Sequence, residues 1–470
     1  MTNLMPVQQT ALQQARGQEG FAYFMDMGLG KTLTALTEFE DMVAHKTATR
    51  MVVICPNSFK TGWKAEIDKH GFKIDVHIYE SDKHKKAELF LAKTYFQPPV
   101  LIVHYQAVRL KKVKSMIEAF TKRRLALLVI DESIAIKNPQ AAQTKSIFGL
   151  APLFRYVRCL TGKPMTQGAH DLWGQLRLVG ATTRNYYAFR NRFCRMGGWQ
   201  GREVIGAINE EELRNTMNGH VFIAKKEDWL AGMPEKLYTT RQYELGPVVG
   251  RHFSEMEKLF VTWLKEQTDK RVVASIALTK YMKLLQIQCG FVHDDDGEPQ
   301  ALIEDKANPR LQLLLETLEE SSGKVAVCFL HRYVGWQLHR VLNNAGYAPQ
   351  MIIGGMQGQD IDDAKRVFNE DPNCRVILLQ IQASKFGHTL LGDQALGRNA
   401  CSTMIFYQSS YSLDDRTQIE DRIHRLGQRQ SSVLYVDLVG SEMDERVIHA
   451  LQHKENVYQA VMGAAGVTAH

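Results

Sequence analysis

The chain has 470 residues, 44% of them apolar and 23% charged, and its 58 Lys and Arg against 51 Asp and Glu give a formal charge of +7. That length exceeds what one hydrophobic core serves and predicts two to three domains of ordinary soluble composition. The mild positive excess is compatible with a polyanionic partner without requiring one, and no apolar run reaches membrane-spanning length.

The start, Met1-Thr-Asn-Leu-Met-Pro6, has no basic segment followed by an apolar stretch, so no signal peptide is expected. Seven scattered cysteines without a C-x-x-C pair, most in apolar runs such as Val52-Val-Ile-Cys55, predict buried, reduced thiols in a cytosol-like compartment (host cytoplasm for a viral protein) and no zinc site. Gln8 lies just upstream of a glycine turn. Its amide suits the edge of an adenine, although a surface polar residue is the plainer reading.

Phe21-Ala-Tyr-Phe24 is strand-like and runs into Met25-Asp-Met-Gly-Leu-Gly-Lys-Thr32, which opens a helical pattern. Strand, glycine turn, lysine, hydroxyl and helix together form a triphosphate cradle. Gly28 and Gly30 let backbone N–H groups around Met27 and Leu29 turn toward phosphate oxygens, and the helix start adds its positive end. Lys31 reaches the β- and γ-phosphates, and Thr32 holds Mg2+. Met25 stands where the first glycine of such loops is usual, and the bland alternative is a turn with a solvated lysine.

Arg50–Cys55, Ile74–Tyr79, Val100–His104 and Leu125–Ile130 read as strands, with an amphipathic helix at Phe59–Lys69 and helical stretches between. Continuous apolarity marks strands buried on both faces, and the alternation predicts a parallel α/β sheet. Asp131 and Glu132 end the fourth of these strands, at the sheet edge where ligands bind. A phosphate-loop ATPase needs one carboxylate for Mg2+, assigned to Asp131, and one to activate water, assigned to Glu132.

Arg158–Gln167 reads as a strand and a tight turn. Asp131-Glu-Ser-Ile-Ala-Ile-Lys-Asn138 followed by Leu160-Thr-Gly-Lys-Pro-Met165 resembles motifs II and III of superfamily-two helicase-like motors of the Swi/Snf type. The leader Gln8, Met27–Thr32, and Pro56 with Trp63 and Glu66 stand in the order of that family. The resemblance implies two tandem RecA-like lobes and a turn at Thr161 that couples nucleotide state to nucleic-acid contact. It also implies that 168–229 is a helical insertion on the first lobe. Arginines and aromatics interleave there (Arg184, Tyr186, Tyr187, Phe189, Arg190, Arg192, Phe193), a pattern that grips nucleic acid or, more simply, packs its rings and solvates its arginines.

The Pro- and Gly-punctuated stretch 233–250 marks the lobe boundary, giving 1–240 and 241–470. Helices are expected at His252–Thr268 and Val273–Gln288, within a helical segment over 250–300, and an exposed loop at Gly290–Gln300. A second alternation follows: helix Pro309–Ser321, strand Lys324–Leu330, helix Tyr333–Ala345, strand Gln350–Ile353, helix Gln359–Asn369 and strand Cys374–Leu379.

In Asp415–Gln428, helical spacing puts Gln418, Arg422 and Arg425 on one face and Ile419, Ile423 and Leu426 on another. The apolar stripe is expected to dock on a sheet, with the arginine row overhanging its edge as an arginine finger and Gly427 ending the helix. The stretch resembles Swi/Snf motif VI, Ser441–Glu445 the acidic turn after it, and Gln380–Thr389 motif V through Ser384, Gly387 and Thr389. Ile134, Asp26 and Lys163 depart from the family pattern, as does the length of 387–403.

The reading is an ATP-driven motor of two RecA-like lobes that binds ATP and Mg2+, with Gln8 and Gln418 beside the nucleotide and Arg422 and Arg425 completing the site. The resemblance implies a monomer moving on double-stranded or branched DNA, away from membranes. A strand-separating or branch-remodelling DNA helicase and a nucleotide-gated binding module with weak turnover remain alternatives, with a restriction-complex motor subunit as a weaker variant.

Overall fold

The first half is built on strands, of which the central ones bury both faces. In chain order they are β1 (Gly20–Met25), β2 (Arg50–Cys55), β3 (Asp75–Ile78), β4 (Pro99–His104), β5 (Ala126–Asp131), β6 (Tyr156–Thr161), β7 (Cys194–Gly197), β8 (Glu203–Ala207) and β9 (Val221–Ala224). Seven of them form one sheet in the order β3-β4-β2-β5-β6-β1-β9, parallel at every pairing. Side chains alternate between two cores. On β5, Ala126, Leu128 and Ile130 enter one core, while Leu127 and Val129 enter the other. Burial on both sides explains why these strands read as unbroken apolar runs.

The second half repeats the plan with β10 (Glu235–Gln242), β11 (Phe291–His293), β12 (Pro299–Ala301), β13 (Lys324–Phe329), β14 (Gln350–Ile352), β15 (Val376–Gln380), β16 (Cys401–Phe406) and β17 (Ser432–Val439). Its six-stranded sheet runs β10-β17-β16-β13-β15-β14, again all parallel. On β13, Ala326 and Cys328 face one core and Val325, Val327 and Phe329 the other. Two open parallel sheets flanked by helices are the tandem RecA-like arrangement that the sequence predicts.

The computed structural model describes residues 4–80, 90, 96–197, 203–230, 232–266, 282–294, 296–356, 358–383, 389–393 and 399–462. The chain forms two compact units, Met1–Ala231 with His453–His470, and Gly232–Gln452. Residues 232–240, placed with the first lobe by the sequence, therefore lie with the second, because β10 is hydrogen-bonded along its length to β17. No helix among the described residues is long and apolar enough to cross a membrane. All seven cysteines are free and buried.

Two sequence expectations are corrected. The segment 168–229 is not simply helical: β7 and β8 pair as an antiparallel hairpin, and β9 extends the main sheet beside β1. Val221-Phe-Ile-Ala224 is a short apolar run that a search for helical period passes over. The 290–300 loop holds the β11–β12 hairpin, whose turn is tied by Asp294 accepting from the Asp296 and Glu298 amides. Of the expected helix at Val273–Gln288, 282–288 is helical and 273–281 lies outside the described residues.

Candidate nucleotide site

β1 ends at Met25, and the helix Lys31–Ala44 starts six residues later. Gly28 (φ +91°) and Gly30 (φ +78°) take left-handed conformations between them, which side chains resist and glycine accepts. The Lys31 ammonium curls back under the loop and donates to the carbonyls of Met25 (2.9 Å) and Asp26 (3.4 Å). Asp26 accepts from the Lys226 amide at 3.0 Å, tying the loop to the residues after β9.

Gln8 is buried rather than a surface residue. Its amide nitrogen donates to the carbonyls of Leu29 (3.3 Å) and Gly30 (3.5 Å), and its Oε1 accepts from the Met5 amide (2.9 Å). A Cβ on Gly30 would lie 2.0 Å from Gln8 Nε2, so this contact also demands glycine. Gln8 thus braces the phosphate loop, and reading an adenine edge would require its amide to release these carbonyls.

Strand order brings the other groups to the same edge. β6 lies between β5 and β1, so the ends of all three are neighbours. Asp131 ends β5 and is buried. Its Oδ2 accepts from the Trp63 indole (2.8 Å) and its Oδ1 from the Glu132 amide (3.0 Å). Burial pushes this carboxyl above its ordinary pKa, while the Trp63 bond, the Lys31 charge and the Glu132 amide pull the other way. The buried Tyr105 hydroxyl donates to the backbone carbonyls of Asp131 (2.7 Å) and Glu132 (3.3 Å).

Glu132 is itself left-handed, with φ +51°. Strain of this kind on a non-glycine residue, of order 1–3 kcal/mol, gathers at functional sites. Its Oε2 accepts from the Thr161 hydroxyl at 3.3 Å, linking the end of β5 to the end of β6. The next residue, Gly162, lies beside the loop: a Cβ there would make ordinary contact with the Met27 nitrogen at 3.4 Å and with Lys31 Nζ at 3.5 Å. Beyond it, Lys137 donates to Thr166 (2.9 Å), and Asp171 accepts from the Thr166 and Gln167 amides. Ser133 donates to Gln175, which in turn donates to the Pro164 carbonyl. Motifs II and III are therefore one hydrogen-bonded body.

These residues fit a magnesium nucleotide. The left-handed glycines form a turn that can point amides at phosphate, Lys31 stands at its base, and Thr32 and Asp131 supply oxygen donors. Mg2+ binds through one or two such groups with the remainder from phosphate and water.

The second unit departs most from expectation. The helix carrying Gln418 spans only Leu413–Glu420, so Arg422 and Arg425 lie in the turns after it and form no helical row. Donors from outside the helix bond carbonyls at and just after its end. The Glu420 carbonyl also accepts from the Tyr435 hydroxyl, and the Arg422 carbonyl is taken by the Leu390 amide. Arg422 is fully buried rather than overhanging an edge. Arg425 is half-buried and donates to the Asp421 carbonyl (2.8 Å) and the Thr389 hydroxyl (2.9 Å). Gln418 donates to Asp414 at 2.9 Å. Ile419 and Ile423 are buried in the core, but Leu426 is 53% exposed and lies outside the apolar stripe. Ser384 and Gly387 lie outside the described residues.

Sequence reasoning missed Arg416. Its guanidinium sits 3.4 Å from the Phe406 ring centroid and donates to both Asp437 oxygens (2.6 and 2.8 Å) and to Glu420 (2.7 Å). Lys236 completes the cluster, 3.0 Å from Glu420. In the first unit, Arg184 and Arg192 both pair with Glu212, Phe189 and Phe193 are buried, and Tyr187 is exposed. The acidic turn is structural: Asp444 accepts from the Gly440 amide and Gln288.

A phosphate loop and two strand-end acids on a parallel sheet, within a chain of two RecA-like lobes, define a superfamily-two ATPase. The family model described as SNF2-related domain matches residues 12–289, and the chain belongs to that family. It is 26% identical over 464 residues to a Caenorhabditis elegans protein named SWI/SNF-related matrix-associated actin-dependent regulator of chromatin subfamily A-like protein 1 homolog, covering 97% of this chain and 61% of that one. An uncharacterized ATP-dependent helicase of Mycoplasma pneumoniae is 23% identical over 465 residues, covering 97% and 42%. The chain thus spans less than two thirds of either relative. Among solved structures, the Sulfolobus solfataricus SWI2/SNF2 ATPase core in complex with dsDNA aligns over 98% of this chain and 93% of that one, at 21% identity and a TM-score of 0.43.

Proposed function

We propose that the chain is a DNA-stimulated ATPase that converts hydrolysis into movement along double-stranded DNA without needing to separate its strands. The observation that carries the chemistry is the convergence of Lys31, Asp131, Glu132 and Thr161 at one sheet edge. Support for DNA comes from family membership, from the chromatin regulator among the relatives, and from the net charge of +7.

In this reading the amides of 27–30 and the Lys31 ammonium bind the triphosphate. Mg2+, when bound, offsets charge on the β- and γ-phosphates. Thr32 and Asp131 would hold it, and Glu132 takes the proton of the attacking water at its carboxylate. The Thr161–Glu132 bond lets the motif III turn respond to the state of that carboxylate. Arg422 and Arg425 act on the γ-phosphate from the second lobe, and for Arg422 this requires leaving its buried position.

The test is ATPase rate against single-stranded, duplex, forked and RNA ligands, together with strand displacement. A translocase is stimulated by duplex and displaces the third strand of a triplex. Displacement of a strand from a simple duplex shows a helicase instead, and ATP-dependent affinity without stimulated turnover shows a binding module.

A further inference from the structure

Trp63 is a fully buried side chain on the helix Lys60–His70, which follows β2. β2 pairs with β5, so this helix reaches the end of β5. A buried indole needs an acceptor for its N–H, and most such acceptors are backbone carbonyls or water. Here the acceptor is Asp131 Oδ2, at 2.8 Å. The Glu132 amide takes the other oxygen, and Tyr105 holds the backbone carbonyl of the same residue. Two donors on two oxygens fix the plane of the carboxylate, and each oxygen keeps a second lone-pair direction for another partner.

We propose that Trp63 is a positioning residue for the metal: its indole N–H locks the Asp131 carboxylate in the orientation that receives the divalent cation of the nucleotide. The proposal rests on the ATPase reading above. Partners that orient a metal ligand typically set 10- to 100-fold in metal affinity. Trp63 does this from inside the core that also holds Leu33, Phe39 and Ile67.

The experiment uses Mn2+ as the probe, its binding to the ADP-bound full chain followed by electron paramagnetic resonance, beside the Mg2+ dependence of ATPase rate. Trp63→Phe keeps most of the ring volume and removes the donor. It should weaken Mn2+ binding roughly 10-fold or more and move the Mg2+ midpoint upward, with kcat recovering as Mg2+ is raised. Ile67→Ala, in the same core but without a polar atom, should lower stability and leave both midpoints in place. Equal midpoints in Trp63→Phe and the unaltered chain overturn the proposal and leave the ATPase reading standing. Failure of the unaltered chain to bind Mn2+ with ADP overturns that reading, and the proposal with it. If Trp63→Phe does not fold, proton resonances of the unaltered chain decide: Mn2+ should broaden at least one of the six indole N–H signals, and broadening of none refutes the assignment.

Discussion

The stretch 415–428 contains three arginines, and their surroundings predict opposite phenotypes. Arg416 belongs to a buried set of two cations and two carboxylates, with Lys236, Asp437 and Glu420. Arg416→Met leaves Glu420 with Lys236 and Tyr238 and takes the paired cation from Asp437, which keeps the Ser409 hydroxyl as a donor. Breaking a buried pair by removing one partner costs about 3–5 kcal/mol. For a unit spanning residues 232–452, each kcal/mol lowers Tm by roughly 2–4 °C, so the melting of that unit should fall by about 6–20 °C in scanning calorimetry. Adding Asp437→Asn in the same chain should return part of the loss by removing the orphaned charge. Arg425→Ala gives up two hydrogen bonds on a half-buried side chain, about 1–2 kcal/mol. Its unfolding should shift little and its nucleotide affinity should hold, while DNA-stimulated turnover falls by about 10³ or more, as for a lost arginine finger. Normal turnover by Arg425→Ala in the presence of DNA would refute the catalytic assignment, and an unchanged Tm in Arg416→Met would refute the structural one.

Further outcomes follow from the same geometry. Lys31→Ala should lose nucleotide binding by calorimetric titration, since the ammonium is the loop's own cation. Glu132→Gln should bind nucleotide and lose turnover in a single-turnover assay. Burial lowers the pKa of His331 from 6.5 to about 4. The unfolded chain therefore takes up this proton first, and the contribution is full above pH 6.5 and lost as pH falls toward 4. That difference, at 1.36 kcal/mol per pKa unit, amounts to roughly 3 kcal/mol as an upper figure. Urea midpoints should decline across this window, and His331→Asn should flatten the decline.

The parallel sheets were legible in the sequence because burial on both faces writes unbroken apolar runs, as in Met51–Cys55 and Leu127–Ile130. The phosphate loop was legible because glycine spacing and the following helix are local. Strand order was not, and it decides the rest of the site. Only the order β2-β5-β6-β1 puts Trp63 against Asp131, Thr161 against Glu132 and Gly162 against Lys31. Trp63 was visible as part of a motif, but its partner lies 68 positions away, and no local spacing encodes that. The same limit explains the arginine stretch. Its helical period is real, yet periodicity assumes that each carbonyl serves the helix. Here Leu390 and Tyr435 also donate to two of those carbonyls from outside, and the helix ends at Glu420. Ending the helix there separates its tasks: Arg416, inside it, is ion-paired with Asp437 and Glu420, while Arg425, beyond it, donates its hydrogen bonds to a hydroxyl and a carbonyl. Neutral partners are exchanged for a phosphate at lower cost than ionic ones, which favours Arg425 over Arg416 for the role proposed at the nucleotide.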